Sequence, residues 1–387
     1  MPARPAFRIP FNRPFLAGAE LDHIKEALAL SNLGGDGKFS ALCKQRLQQI
    51  LDARDVLLTS SCTIALEIAL AVTGLGPGDE VILPAFTYVS TANAVIRQGA
   101  TPVWVDIQPD TLCLDPHQVE TALTPRTRAI MPVHYGGVPC DMPSFARLAG
   151  KHSLFLIEDA AAALGASSQG KPLATHGDMG CISFHETKNL GCGQGGALCI
   201  NRPEFVEAAR VFRDRGTNRH QFNAGLTSHY TWVGPGSAGG LSELAAAYLW
   251  GQLEKFDEIS ARRSALFKNY EGMLEPLIGA GGLQIPTCPS DGQSNHHTFA
   301  LMTPDRQQRD GLLNHLHRRG ILATIHYVPL HTSPMGLTLQ PKPSHLPVTE
   351  RVADCLIRLP LYHTLTIDEQ AEVASATLEY FHHTGRS

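Results

Sequence analysis

Short apolar runs alternate with amphipathic stretches from residue 55 to about residue 200. Positions 56–58, 81–83, 102–105, 129–133 and 154–157 are almost wholly apolar and carry no polar face. Runs this short without alternation predict strands buried on both sides. Between them, 64–72, 90–98, 116–123 and 144–152 place apolar residues at helical spacing and predict helices. Strand–helix alternation of this kind predicts a parallel sheet covered by helices on both faces. Ligands in such sheets bind beyond the carboxyl ends of the strands. A glycine-rich stretch at 234–240 precedes a helical pattern running from Ser242 to about Leu277. After Pro286 the pattern shortens to an extended segment at 296–302, a helix over 305–319, a strand over 321–327 and a closing helix from Ile367. That change predicts two domains, residues 1–254 and a smaller one of residues 255–387. Residues 34–37 and 341–347 read as loops. The first reads equally as a flap over a ligand and as a plain surface turn.

Composition narrows the function classes. Of 387 residues, 43% are hydrophobic and 18% charged, which is ordinary for a folded soluble protein. A net charge of -4 gives no basic field, so nucleic-acid binding is not expected, and an anionic substrate needs a local cluster instead. Nine cysteines without a C-x-x-C pair predict reduced thiols and a cytoplasmic protein. Residues 1–12 hold prolines and arginines but no apolar core, so no signal peptide is read there. The most apolar stretch, 57–72, is interrupted by Glu67 and is too short to span a membrane. Among 18 histidines, His296 and His297 are adjacent and would face opposite ways on a strand, so no metal site is expected.

Four features then fall in an order that suits one chemistry. Thr59, Ser60, Ser61, Cys62 and Thr63 follow the strand 56–58 and open the next helix. Hydroxyls and free N–H groups at a helix start suit a phosphate, although a plain N-cap reads the same. Phe86, Thr87 and Tyr88 follow the strand 81–83, where an aromatic ring can stack on a flat heterocycle or simply fill a rim. Glu158 and Asp159 close the strand 154–157, and a buried carboxylate there needs a partner. A protonated pyridine nitrogen is one such partner; a helix cap or an ion pair is another. Ser183 to Asn189 carries Lys188, followed by Gly191, Gly193, Gly195 and Gly196. A lysine in a glycine-rich turn after a strand suits a covalent link to pyridoxal phosphate (PLP) and proton transfer there.

The sequence resembles the DegT/DnrJ/EryC1/StrS sugar aminotransferases over nearly its whole length. The stretches that carry the resemblance are Cys62-Thr63, Val133-His134-Tyr135, Phe184-His185-Glu186-Thr187-Lys188-Asn189, Gly216-Thr217-Asn218-Arg219, Tyr248-Leu249-Trp250 and His326-Tyr327-Val328-Pro329-Leu330-His331. Within that family it is most similar to the members that aminate C4 of TDP-4-oxo-6-deoxyglucose to the galacto product. The resemblance implies the fold-type-I α/β architecture of PLP enzymes, a mainly parallel seven-stranded sheet between helices plus a smaller C-terminal α+β domain. It also implies a homodimer with shared active sites, a nucleotide sugar as substrate, glutamate as amino donor and a role in cell-surface glycan assembly. By position, Lys188 matches the lysine bonded to PLP and Asp159 the partner of its pyridine nitrogen. Tyr88 matches the stacking aromatic, while Cys62, Thr63 and Ser183 surround the phosphate. Arg219, His326 and His331 are candidates for the sugar or diphosphate, because guanidinium forks and imidazoles suit anionic oxygens.

The chain departs from the family at three positions. Ala162 stands where Gln or His usually touches the cofactor ring, Ala238 where a partner subunit often supplies Asn or Ser, and Gln194 where Glu is common. Each lost hydrogen bond predicts cofactor binding weaker by on the order of 1 kcal/mol. Rival readings are amination at C3, a GDP or UDP sugar, a same-family dehydratase and a non-catalytic binder. The dehydratases have histidine in place of Lys188, and a dead site has no reason to keep Lys188 with Asp159.

Overall fold

Five strands of the sheet come first along the chain: β1 Asp55–Thr59, β2 Glu80–Pro84, β3 Thr101–Val105, β4 Thr127–Ile130 and β5 Phe155–Asp159. A hairpin of two-residue strands follows, β6 Ser167–Ser168 and β7 Lys171–Pro172, and then β8 Met179–Ser183 and β9 Gly196–Ile200. Seven of them form one sheet in the order β1-β9-β8-β5-β4-β2-β3. β9 runs antiparallel to both neighbours, and the other pairs are parallel. The computed structural model describes residues 7–278, 282–340 and 344–384. Residues 1–6 of the stretch read for a signal peptide, and 341–343 of the loop expected at 341–347, lie outside them.

Successive strand residues point to opposite faces of this sheet, and both faces are dry. Leu58, Ile82, Val105, Ile130, Leu156 and Ile182 join one core with the helices Lys38–Leu51, Met142–His152 and Glu243–Glu254. Their neighbours Leu57, Val81, Trp104, Ala129, Ile157 and Cys181 join the other, under Cys62–Ala71 and Val89–Arg97. Each fully buried Leu or Ile contributes roughly 1.5–3 kcal/mol of transfer free energy. Side-chain caps fix where the helices begin. Ser61 Oγ accepts from Ile64 N at 3.2 Å, Asp141 Oδ1 from Ser144 N at 3.1 Å and Asp305 Oδ1 from Gln308 N at 2.8 Å.

A third core collects Leu266, Tyr270 and Leu274 of the helix Phe256–Ile278 with Leu312 and Leu316 of Arg306–Arg318. After the short strand β10 Gly292–Gln293, β11 Phe299–Met302 and β12 Leu356–Leu359 pair antiparallel inside it. Ile9 is fully buried there and bridges Ile321, so the start of the described chain packs with the third core, not with the large sheet. Among the described residues no helix is long and apolar enough to cross a membrane.

Several sequence expectations shift. The long helical pattern from Ser242 breaks at Lys255. The break lets Ile259 stay in the first core while Leu266, Tyr270 and Leu274 reach the third. The strand read over 321–327 is not a strand. Ile321 meets Ile9 and Thr324 meets Arg358 as isolated bridges, and then His326 and Tyr327 turn to line a cavity. β11 starts at Phe299, so His296 and His297 are not on a strand. His296 takes φ +52° and its ring packs 4.6 Å from Phe267, whereas His297 faces Asn189. β4 ends at Ile130, and Val133 is left as a lone bridge to Asp159. β8 is the strand expected ahead of Lys188, whereas β9 begins inside the stretch of Gly191, Gly193, Gly195 and Gly196 that reads as a turn. Gly180 of β8 is required, because a Cβ there would lie 2.3 Å from the Ala174 carbonyl oxygen.

Candidate active site

The carboxyl ends of β1, β2, β5 and β8 open into a cavity of about 520 Å³, the place a parallel sheet offers a ligand. Cys62, Thr63, Tyr88, Asp159, Ser183, Lys188 and His326 all line it. Residues scattered over more than half of the chain therefore meet in one chamber.

One end suits a phosphate. The Cys62–Ala71 helix begins there, and its first N–H groups have no acceptor within the helix. The Ser61 hydroxyl is spent on Ile64 N, so Cys62 N and Thr63 N face the cavity end unsatisfied by it. A Cβ on Gly196 would lie 2.4 Å from Cys62 N, so β9 approaches the helix start only because that residue is glycine. Thr63 Oγ1 shares a hydrogen bond with Ser90 Oγ at 2.8 Å, and Ser183 Oγ accepts from His185 N at 3.2 Å. Burial raises the Cys62 thiol well above its ordinary value, so it stays neutral beside an anion.

The Asp159 carboxylate is 5% exposed. Its Oδ1 accepts from Ala161 N at 3.1 Å and its Oδ2 from Thr91 Oγ1 at 2.7 Å. Thr91 donates to Asp159, so its oxygen is free to accept from Thr87 Oγ1, 2.9 Å away. These bonds hold the carboxylate and leave it facing the cavity beside Ala161 and Ala162. Behind it, the buried pair Glu158–His134 (3.1 Å) is fixed by Ala174 N, Gly177 N and Cys140 N. Burial alone would raise Glu158, but His134 and Gly177 N–H outweigh it and hold the carboxyl below its ordinary value.

Lys188 sits at the tip between β8 and β9. Phe184 N bonds Gly195 O, Glu186 N bonds Gly193 O and Lys188 N bonds His185 O. Gly193 takes φ +79° to close this turn. Among the described residues the Lys188 amine has no hydrogen-bond or ion-pair partner. Burial lowers its pKa, Cys62 and Asp159 oppose that, and Arg358 adds to it. A lysine with a depressed pKa exposes a lone pair and becomes a nucleophile and a base.

On the far wall the sequence singled out His326 but neither His297 nor Arg358. His297 Nδ1 bonds Asn189 Oδ1 at 2.9 Å and so donates, which leaves its Nε2 as an acceptor. His326 stacks on Tyr327 at 3.7 Å and meets the Tyr135 hydroxyl at 3.3 Å. Burial, helped by the Arg358 and Lys188 cations, pushes His326 down to about 2, so it is neutral. Arg358 of β12 completes this wall. The only sequence signal for it was a charge inside the apolar run 356–361.

Two substrate candidates lie elsewhere. His331 is fully buried outside the cavity, with Nε2 3.3 Å from Glu350 Oε1, because the residues after Tyr327 leave the wall. Arg219 opens the short helix Arg219–Asn223 on the surface and does not line the chamber. Ala162 and Gln194 line it, whereas Ala238 is exposed and bridges Asp214. The loop 34–37 is tied down and does not line the chamber of its own chain. Arg213 forks onto Asp36 at 3.0 and 2.6 Å, and Glu243 accepts from Gly37 N.

Thr91 is the positioning residue that the sequence hid. Thr91→Val removes one bond to Asp159 and is expected to weaken cofactor binding by on the order of 10-fold. Titration of the protein with PLP, followed through the visible band of the bound cofactor, checks this. An unchanged affinity would show that Ala161 N alone suffices.

Known proteins share this chain's sequence and fold. The model of the DegT/DnrJ/EryC1/StrS aminotransferase family matches residues 16–378. The chain is 39% identical to the dTDP-3-amino-3,4,6-trideoxy-alpha-D-glucose transaminase of Streptomyces venezuelae, over 82% of this chain and 80% of that protein. It is 31% identical to the spore coat polysaccharide biosynthesis protein SpsC of Bacillus subtilis (strain 168), over 95% of this chain and 96% of that one. The crystal structure of S. venezuelae DesV in complex with a ketimine intermediate superposes with a TM-score of 0.87 at 34% identity, covering 96% of this chain and 98% of that one.

Proposed function

This chain belongs to the DegT/DnrJ/EryC1/StrS aminotransferase family, and from that premise we propose that it moves the amino group of glutamate to C4 of TDP-4-oxo-6-deoxyglucose. It is a PLP-dependent sugar-nucleotide aminotransferase; the sugar, the carbon and the donor are the proposal. The observation that carries the transaminase reading is Lys188 and Asp159 on one wall of a chamber whose end is the start of the Cys62–Ala71 helix.

In this reading Thr63, Ser183 and the N–H groups at Cys62 hold the cofactor phosphate, and Tyr88 stacks on its ring. Bound PLP supplies an electron sink for the charge left on carbon when a proton departs. Asp159 holds the proton on the pyridine nitrogen, with Thr91 and Ala161 N keeping the carboxylate in place. Lys188 anchors the cofactor and takes the α-proton of glutamate. In the second half it delivers a proton to C4 of the sugar, and the face it serves sets the galacto product. His326, neutral and cavity-facing, is suited to a sugar hydroxyl. The preference for C4 rests on the sequence stretches from His326 to His331 and around Lys188. A second reading, amination at C3, is favoured by the 39% identity to a 3-amino sugar transaminase.

A homodimer belongs to the same proposal. Leu226 (78%), Trp232 (77%) and Tyr230 (52%) are exposed in one segment, and Tyr88 at the cavity mouth is 60% exposed. Exposed aromatic and apolar side chains clustered in one segment suit burial against a second copy. The division into residues 1–254 and 255–387 is likewise proposed, at the helix break at Lys255.

The test is turnover with PLP, glutamate and TDP-4-oxo-6-deoxyglucose. The expected products are 2-oxoglutarate and TDP-4-amino-4,6-dideoxygalactose. No product, with the cofactor bound normally, rejects this sugar; transfer to a 3-oxo sugar alone supports the second reading.

A further inference from the structure

The sheet loses its regular ladder just where the site begins. β4 pairs with β5 only at Ala129–Phe155 and Ile130–Leu156. Pro132 has no N–H to donate, and pairing resumes at one isolated bridge, Val133 with Asp159. Two backbone bonds make that bridge: Asp159 N donates to Pro132 O at 2.9 Å, and His134 N donates to Asp159 O at 3.1 Å. Both sides of the bridge face the chamber. Asp159 lines it from the end of β5, and Val133, Tyr135 and Gly136 line it from the other segment. That segment has its own anchors, because the Tyr135 ring packs on Phe86 and Tyr327 and Cys140 Sγ donates to Val133 O at 3.2 Å.

His134 reinforces the bridge with its side chain. Nδ1 accepts from Cys140 N at 3.1 Å, so the ring proton sits on Nε2 and is donated to Glu158 Oε2, 3.1 Å away. Glu158 precedes Asp159 on β5, so its side chain points to the opposite face of the sheet. Its carboxylate also accepts from Ala174 N at 2.9 Å and Gly177 N at 2.7 Å. His134 is 1% exposed and Glu158 0%. Among the described residues no lysine or arginine pairs with this carboxylate. An apolar side chain on the face that carries Leu156 and Ile182 would avoid the cost of burying a carboxylate. What the polar pair adds is direction. A hydrogen bond fixes a distance and an angle, whereas apolar contact tolerates sliding.

We propose that His134 is a positioning residue for the amino-transfer reaction: by holding Glu158 it pins the anchored segment 132–136 to the end of β5 and so fixes where the Asp159 carboxylate stands. His134 acts through Asp159 and not as an acid or a base, because both of its ring nitrogens are engaged. Displacing a group that serves the chemistry by about 1 Å costs on the order of 100-fold in rate. The inference rests on the transaminase reading but not on which sugar or donor is used.

Two substitutions separate the two bonds of the ring. His134→Gln keeps an N–H donor for Glu158. His134→Asn is too short to reach Glu158 but leaves an acceptor for Cys140 N. In the cofactor-free protein, hydrogen exchange over 132–136 and 157–161, followed by mass spectrometry, should quicken about 10-fold in His134→Asn and less than about 3-fold in His134→Gln. In the PLP-loaded protein, turnover should fall on the order of 30-fold in His134→Asn and less than about 5-fold in His134→Gln. Added to Asp159→Asn, His134→Asn should cost no more than about 3-fold further, because the charge it positions is already gone. Unchanged exchange or turnover in His134→Asn overturns the proposal, as do equal losses in the two variants. A full further loss on top of Asp159→Asn overturns it too. If His134→Asn does not fold, Glu158→Asp, which keeps the charge but draws the acceptor back by one carbon, decides on the same comparisons. A wild type that transfers no amino group would sink the functional reading, and the exchange comparison would still decide whether His134 pins the bridge.

Discussion

Lys188→Ala is expected to lower turnover by at least about 10⁴-fold, the combined loss of a covalent anchor and a positioned proton carrier. The substitution spares the fold. Lys188 has no hydrogen-bond or ion-pair partner among the described residues, so its removal leaves no buried group unpaired. The turn that carries it is closed by backbone bonds from Phe184, Glu186 and Lys188 N, which alanine keeps. Borohydride reduction followed by mass spectrometry gives an independent readout. The wild type should carry PLP fixed at residue 188, and the variant should carry none at any lysine. Substantial turnover, or PLP fixed elsewhere, would assign the chemistry to a different residue.

Asp159→Asn should cost on the order of 10²–10³ in turnover while the cofactor still binds. The carboxylate is 5% exposed and its two oxygens already serve Thr91 and Ala161 N. An amide keeps one of these acceptors and most of the shape but carries no charge. The pyridine nitrogen then loses the anion that keeps it protonated, and the ring becomes a poorer electron sink. Stability should fall by only about 1 kcal/mol for the lost acceptor. Comparing the pH dependence of the bound-cofactor spectrum separates the two effects, because a lost hydrogen bond alone would not move it. Wild-type turnover with an unshifted spectrum would remove Asp159 from the role.

Legibility differed sharply between parts of the chain. The strands 81–83, 102–105 and 154–157 were readable because both faces of the sheet are dry, which forces an unbroken apolar run. β9 escaped because its first glycine serves a close backbone contact, at Cys62 for Gly196. The strand read over 321–327 was wrong for the opposite reason. Its apolar content serves two isolated bridges and then the cavity wall. His331 and Arg219 looked like anion ligands by residue type, yet one is buried against Glu350 and the other is on the surface. Residue type alone carries no direction.

By itself the sequence determined the elements whose cause is local: the apolar strand runs, the helix starts after Ser61 and at Asp305, and the order of Thr63, Tyr88, Asp159 and Lys188 along the chain. Those follow from side-chain period and from hydrogen bonds spanning three residues. Tertiary structure alone decided which distant residues share the chamber. Thr91 reaches Asp159 across 68 positions, and His297 reaches Asn189 across 108. Arg358 is brought to the wall by the pairing of β12 with β11 and by its backbone bonds to Thr324. Such contacts exist only after the three cores have packed, because burial is non-directional and leaves no local mark on the residues it brings together.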